Sequence, residues 1–223
     1  MDKTDFYKTL DAAPMVPVFY HADLPTAREV LRACYAGGVR VFEFTNRGEA
    51  AAEVFAALVP FAAKELPGLL LGAGSVSDPR SARRFLRLGA RFIVGPQYVP
   101  AVRRVCHLRG VPYVPGCGTV SEVGRAQRAG CRVCKVFPGE VLGPAFVKAL
   151  LAPMPWSRIM VTGGVEPVRE SLEAWFGAGV CSVGMGSKLL SADLLAAADW
   201  PALAGRCRAC LDIINGLKHY NIL

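Results

Sequence analysis

The sequence predicts a single (β/α)8 barrel, and two observations carry that reading. Eight short runs rich in β-branched and aromatic residues alternate with longer stretches of helical apolar spacing from one end of the chain to the other. Several of the helical stretches also run into glycine or alanine just before the next strand, as at Gly37-Gly38, Gly89-Ala90, Gly110, Gly130 and Gly177-Ala178-Gly179.

The elements follow in order. Asp5–Ala12 reads as an extra N-terminal helix placed to cover the barrel floor, ahead of a first strand at Met15–Tyr20 and a helix at Thr26–Tyr35. Arg40–Thr45 is the second strand, Ala50–Lys64 its helix, Leu69–Gly72 the third strand and Pro79–Leu88 the next helix. Strands at Phe92–Val94 and Pro112–Pro115 alternate with helices at Ala101–Leu108 and Val120–Ala129. Val133–Phe137, Arg158–Thr162 and Val180–Val183 complete the eight strands, with helices at Ala145–Leu151 and Val168–Phe176 and one long helix from Leu194 to Leu217. A Rossmann sheet is the other architecture with this alternation. It would place a glycine-rich phosphate turn after the first strand, and the run from Val18 to Asp23 has no glycine. No linker, low-complexity stretch or charge block interrupts the series, so residues 1–223 read as one TIM-barrel domain.

With 223 residues, 52% of them hydrophobic, the chain can bury a large core. Its longest apolar stretches, such as Leu69–Ala73, fall far short of the ~20 residues of a membrane helix, and Met1–Pro14 carries charges where a signal peptide would be apolar. A soluble, cytoplasmic protein without a membrane partner is expected. The eight cysteines are dispersed through apolar segments and read as reduced, mostly buried thiols. Two Cys-x-x-Cys pairs, Cys131/Cys134 and Cys207/Cys210, have half-zinc spacing but lie in a strand-like and a helical run, so no metal is expected. The net charge of +8 raises the question of nucleic acid. The basic residues look spread along the chain, and Arg80, Arg83, Arg84 and Arg87 at i, i+3, i+4 and i+7 read as one solvated helix face, so no nucleic-acid partner is expected.

A barrel assembles its active site at the C-terminal ends of its strands, which directs attention to ionisable residues there. Period-2 alternation puts Val41, Glu43 and Thr45 on one face of the second strand, with Arg47 in the following loop. The same rule groups Val133, Lys135 and Phe137. Both Glu43 and Lys135 can therefore point into the barrel. The plain alternative is a buried structural ion pair. The chemical reading is that a neutral lysine amine attacks a ketone while the carboxylate moves protons. Lowering an unperturbed pKa of ~10.4 to about 8 takes roughly 3 kcal/mol, within reach of burial. Thr162-Gly163-Gly164 after the seventh strand and Gly184 to Ser187 after the eighth lie where many barrels hold a phosphate on backbone N–H groups. Arg47 is a candidate for a substrate carboxylate or phosphate.

These motifs together resemble a known family. GGVRVFEFTNR from Gly37 to Arg47, GAGSV from Gly72 to Val76, Gly95-Pro96, Pro115-Gly116 with Thr119 to Glu122, KVFP from Lys135 to Pro138, and Thr162 to Gly164 occur in the order found in the 2-keto-3-deoxy-6-phosphogluconate (KDPG) and 4-hydroxy-2-oxoglutarate (KHG) aldolases. The match runs from about Val16 to Ser187. The resemblance implies a class I aldolase, a homotrimeric (β/α)8 barrel without metal or cofactor, acting on a small keto-acid phosphate. It implies Schiff-base formation at Lys135 and acid–base work by Glu43. Arg47, Ser75, Pro96 and Phe137 would line the pyruvate pocket with Thr119 nearby, and Thr162, Gly163, Gly164, Gly186 and Ser187 would hold the rest of the substrate and its phosphate. Ser75, Asn46 and Gly139 depart from the residues that members often have, namely threonine, a hydrophobic residue and alanine. Two other functions fit such a barrel: a non-covalent sugar-phosphate epimerase or isomerase, and a catalytically silent phosphosugar-binding protein.

Overall fold

The structure, a computed structural model, describes residues 3–220, with side chains described from Asp5 to Leu217. It is a (β/α)8 barrel preceded by a helix. Nine parallel strand segments pair in the order β5-β4-β3-β2-β1-β9-β8-β7-β6. They are β1 (Met15–Phe19), β2 (Val41–Thr45), β3 (Leu70–Gly74), β4 (Ile93–Val94), β5 (Tyr113–Val114), β6 (Gly116–Cys117), β7 (Cys134–Val136), β8 (Ile159–Thr162) and β9 (Ser182–Met185).

Nine segments make eight staves, because β5 lies in the fifth strand expected at Pro112–Pro115 and β6 continues the same stave past that expected end. Pro115 lies between them and has no N–H to give to a ladder. Its carbonyl still accepts from Lys135 N–H at 2.8 Å, and the next residue, Gly116, donates to the Gly95 carbonyl at 3.0 Å. The lower half thus pairs β4 and the upper half pairs β7, which closes the barrel at this stave.

Outside the staves run α2 (Leu24–Ala36), α3 (Ala51–Glu65), α4 (Pro79–Arg87), α5 (Pro100–Leu108), α6 (Val120–Arg128), α7 (Gly139–Leu151), α8 (Arg169–Gly177), α9 (Ala192–Ala196) and α10 (Trp200–Tyr220). The long final helix read from Leu194 to Leu217 is in fact two helices. Ala198 adopts φ 49°, a left-handed conformation no helix continues through, and α10 restarts at Trp200-Pro201, where proline's lack of an N–H costs no helical hydrogen bond. Helix α7 likewise begins earlier than its apolar spacing suggests, and Gly143, at φ 74° and ψ 167°, separates a short first turn from the predicted part.

Two apolar layers result. Between staves and helices lies the larger cluster, which includes Phe42, Phe44, Cys134 and Val136. Inside the barrel a smaller cluster gathers Val16, Val41, Leu70, Phe92, Val114, Val133 and Met160. Helix α1 (Lys3–Ala12) closes that interior from below with Phe6, Tyr7 and Leu10, and Phe6 packs on Phe92 at 4.9 Å between ring centroids. Asp11 of α1 pairs with Arg158 at the start of the β8 stave. All eight cysteines are free thiols; only Cys181 is not fully buried, and Cys34 and Cys207 touch at 3.9 Å where α2 meets α10. Among the described residues no helix is long and apolar enough to cross a membrane.

Candidate active site

The inward positions one pleat above that lower apolar layer hold the chemistry. Val41 and Val133 belong to the interior cluster, so Glu43 and Lys135, each two residues further along its strand, face the same interior nearer the mouth. Lys135 sits on β7, the sixth stave of eight. Glu43 is 2% exposed and Lys135 5% exposed. On one flank each has a glycine in register, Gly72 on β3 beside Glu43 and Gly116 on β6 beside Lys135, while the other flank carries Val18 on β1 and Met160 on β8. A methyl group at Gly74 would land on the Glu43 carboxylate. Glycine at this inward position is thus what leaves room for the acid.

No ion pair within 4.0 Å joins Glu43 to Lys135 among the described residues, and Glu43 Oε2 is buried without a hydrogen-bond partner. A structural salt bridge would look different. Burial pushes the Glu43 carboxyl upward, against the opposing pull of Lys135 and Arg47. Burial likewise pushes the Lys135 ammonium down; Glu43 opposes this and Arg47 adds to it. Each group is driven toward its neutral form, which for the lysine is the nucleophilic form. The Lys135 Nζ lies 4.9 Å from the centre of the Phe137 ring two residues on, so a cation there would be met by an aromatic face.

Above these two residues opens a cavity of about 430 Å³. Arg47, Phe137, Thr162, Gly163, Gly164, Gly186 and Ser187 from the sequence-based set all line it. The turn after β8 is strongly bent, with Gly163 at φ 93° and Gly164 at φ 70°, conformations that suit glycine. The N–H groups of Gly163, Gly164, Gly186 and Ser187 donate to no acceptor among the described residues, and all four residues line the cavity. Thr162 Oγ1, buried and likewise unpartnered, lies over Gly184 in the same lining. Arg47 is exposed at the rim, and its Nε donates to Ser75 Oγ at 3.3 Å. Ser75 itself has φ 56°, which turns the chain out of β3.

Five predicted residues lie outside the cavity lining: Glu43 and Lys135 on the strands below it, Ser75 beside Arg47, and Pro96 and Thr119. Pro96, after β4, has its carbonyl where a methyl group on Gly116, the register partner of Lys135, would sit. Thr119 caps α6: its hydroxyl accepts from Glu122 N–H at 3.2 Å and donates to the Glu122 carboxylate at 3.1 Å. That reciprocal box occupies the hydroxyl locally.

Sequence reasoning missed Val18, Glu140, Val165 and Lys188, which also line the cavity. Glu140 lies at the start of α7 with its carboxylate against Gly163, and Lys188 pairs with Glu166 at 2.8 Å. Both directly follow residues that the motifs did single out, Gly139 and Ser187; what hid them was that a charge at the start of a helix or turn is ordinarily solvated. Gly139 is explained by packing, since a methyl there would meet the Gly163 carbonyl and Val161.

The family described as KDPG and KHG aldolase matches residues 7–205. This chain belongs to the KDPG and KHG aldolase family. The KHG/KDPG aldolase of Escherichia coli K12 is 32% identical over 213 residues, covering 94% of this chain and 96% of the relative. Among solved structures, a KDPG aldolase from Legionella pneumophila, with pyruvate captured at low pH as a covalent carbinolamine, superposes with a TM-score of 0.82 at 26% identity, covering 91% of this chain and 96% of that one. A cube-shaped cage designed by fusing symmetric oligomeric domains also matches, at a TM-score of 0.82 and 25% identity, over 93% of this chain and 74% of that one. The fold and the sequence thus place the chain among the KDPG and KHG aldolases, a family of carbon–carbon lyases.

Proposed function

We propose that this protein is a class I aldolase that cleaves 2-keto-3-deoxy-6-phosphogluconate to pyruvate and glyceraldehyde 3-phosphate, and 4-hydroxy-2-oxoglutarate to pyruvate and glyoxylate. The observation that carries the reading is a buried lysine driven toward its neutral form, beside an unpaired buried glutamate, beneath a cavity lined by residues whose N–H groups have no acceptor among the described residues. Lys135 Nζ attacks the C2 carbonyl, and loss of water from the carbinolamine gives the protonated imine. Glu43 then takes the proton of the C4 hydroxyl, directly or through a water, as the C3–C4 bonding electrons flow into the imine and the aldehyde departs. The same proton returns to C3 of the enamine, and hydrolysis of the imine releases pyruvate. The reaction requires neither metal nor cofactor.

In this reading Arg47 and Ser75 hold the keto-acid carboxylate, Pro96 and Phe137 wall the pyruvate methyl side, and Thr119 stands at the edge. Thr162 meets a substrate hydroxyl. The donors of Gly163, Gly164, Gly186 and Ser187 receive the distal anion. A homotrimer working in the cytoplasm completes the proposal, supported by the likeness to a chain used as a symmetric oligomeric domain. Pyruvate release, followed with lactate dehydrogenase and NADH, tests it. Turnover of both keto acids is expected; failure of both to release pyruvate contradicts the assignment.

A further inference from the structure

The basic residues are not spread evenly along the chain, contrary to the expectation above. From Pro79 to Ser121 there are eight arginines and no lysine, aspartate or glutamate. Subtracting those eight from the 26 basic residues leaves 18, which balance the 18 acidic residues. The whole surplus of +8 therefore lies in this one stretch. It folds into α4, β4, α5 and the loops to β6, and α4 and α5 pack side by side on the barrel wall. Arg80, Arg83, Arg84 and Arg87 on α4, and Arg104 and Arg109 on and after α5, are exposed. None of the eight guanidinium groups makes an ion pair or donates a hydrogen bond among the described residues. The acids that bound the stretch are occupied. Asp78 caps α4 through Arg80 N–H, Ser81 N–H and the Ser81 hydroxyl, and Glu122 closes the α6 cap.

We infer that the α4–α5 face is a binding surface for the phosphodiester backbone of duplex nucleic acid, recognised without regard to sequence. Three features choose this partner. The cations are all arginine, whose planar fork matches phosphate oxygens in a bidentate way. Packed helices stand about 8–10 Å apart, so the arginine row of α4 and Arg104 of α5 are spaced on the scale of the ~12 Å major groove. A bilayer would call for apolar anchors, and Leu108 is the one large apolar side chain exposed on these two helices. No residue of the face lines the aldolase cavity, so binding and catalysis are separable.

The test is fluorescence anisotropy with the full chain and a labelled 20-base-pair duplex of arbitrary sequence. With about five phosphate contacts, raising salt from 50 to 200 mM should weaken binding by about 500-fold. The triple substitution Arg83→Glu, Arg84→Glu, Arg87→Glu should weaken it by at least about 100-fold at 50 mM salt while aldolase turnover stays at the parent rate, which also reports that the variant is folded. A second variant, with lysine at the same three positions, should retain measurable, salt-sensitive binding. Absence of binding at 50 mM salt, affinity untouched by the glutamate triple, or equal binding to poly-glutamate or to phosphatidylserine vesicles would overturn the inference.

Discussion

At the residue scale two side chains carry the chemistry, and burial pushes each toward its neutral form. Glu43 lacks a direct ion pair with Lys135, so Glu43→Gln should fold normally and keep pyruvate affinity while kcat falls by roughly 10²–10⁴. Measuring Tm and kcat on the same protein separates the roles: a large loss of Tm with near-normal kcat would make the glutamate structural. The lowered Lys135 pKa has a pH signature. The neutral amine gains population as pH rises, so the rate of imine formation with pyruvate should climb with pH and level off below the ~10.4 of a free lysine. Rapid-quench borohydride trapping across pH checks this, and a midpoint at or above ~10.4 would contradict the burial argument. These two residues were legible in the sequence because a charge inside an apolar, alternating strand has few explanations. Glu140 and Lys188 were not, because only the folded chain shows that the turn after β7 and the turn after β9 open on one cavity.

At the element scale, small residues decide what fits between staves. Gly74→Ala would thrust a methyl group into the Glu43 carboxylate, so it should lower kcat by about 10–100-fold, part of the worth of the acid–base step, with little change in secondary structure by circular dichroism. Gly205→Ala is the matched control. It sits in α10 with nothing within 4 Å of a new methyl group, so it should stabilise the helix by up to about 1 kcal/mol and leave kcat unchanged. Equal kcat loss in the two variants would undo the argument. The eight staves were readable from β-rich runs, and their helices from apolar spacing. Two details were not. Pro115 splits a stave without ending it, because the ladder continues through its carbonyl, and the left-handed Ala198 breaks a helix whose apolar pattern runs on unbroken. Apolar periodicity reports which face is buried and is blind to a single φ.

At the scale of the whole molecule the barrel divides its labour along its axis. Its floor is plugged by α1, where Phe6 is 2% exposed and stacked near Phe92, so Phe6→Ala should cost about 3–5 kcal/mol in chemical denaturation without altering kcat at temperatures where the variant stays folded. Its mouth carries the lysine, the glutamate and the cavity lining, and one flank carries all of the excess charge. The division by axis was legible from the strand ends, and the clustering of arginines between Pro79 and Ser121 is legible there too, but only the packing of α4 against α5 makes that stretch one flank. The central claim is that Lys135 bonds covalently to the keto acid, and its most direct measurement is borohydride reduction in the presence of pyruvate followed by peptide mass mapping. One reduced pyruvate should appear on the peptide carrying Lys135, with activity lost in proportion, and Lys135→Arg should take up none. Labelling at a different lysine, or full activity after exhaustive reduction with pyruvate, would contradict the account.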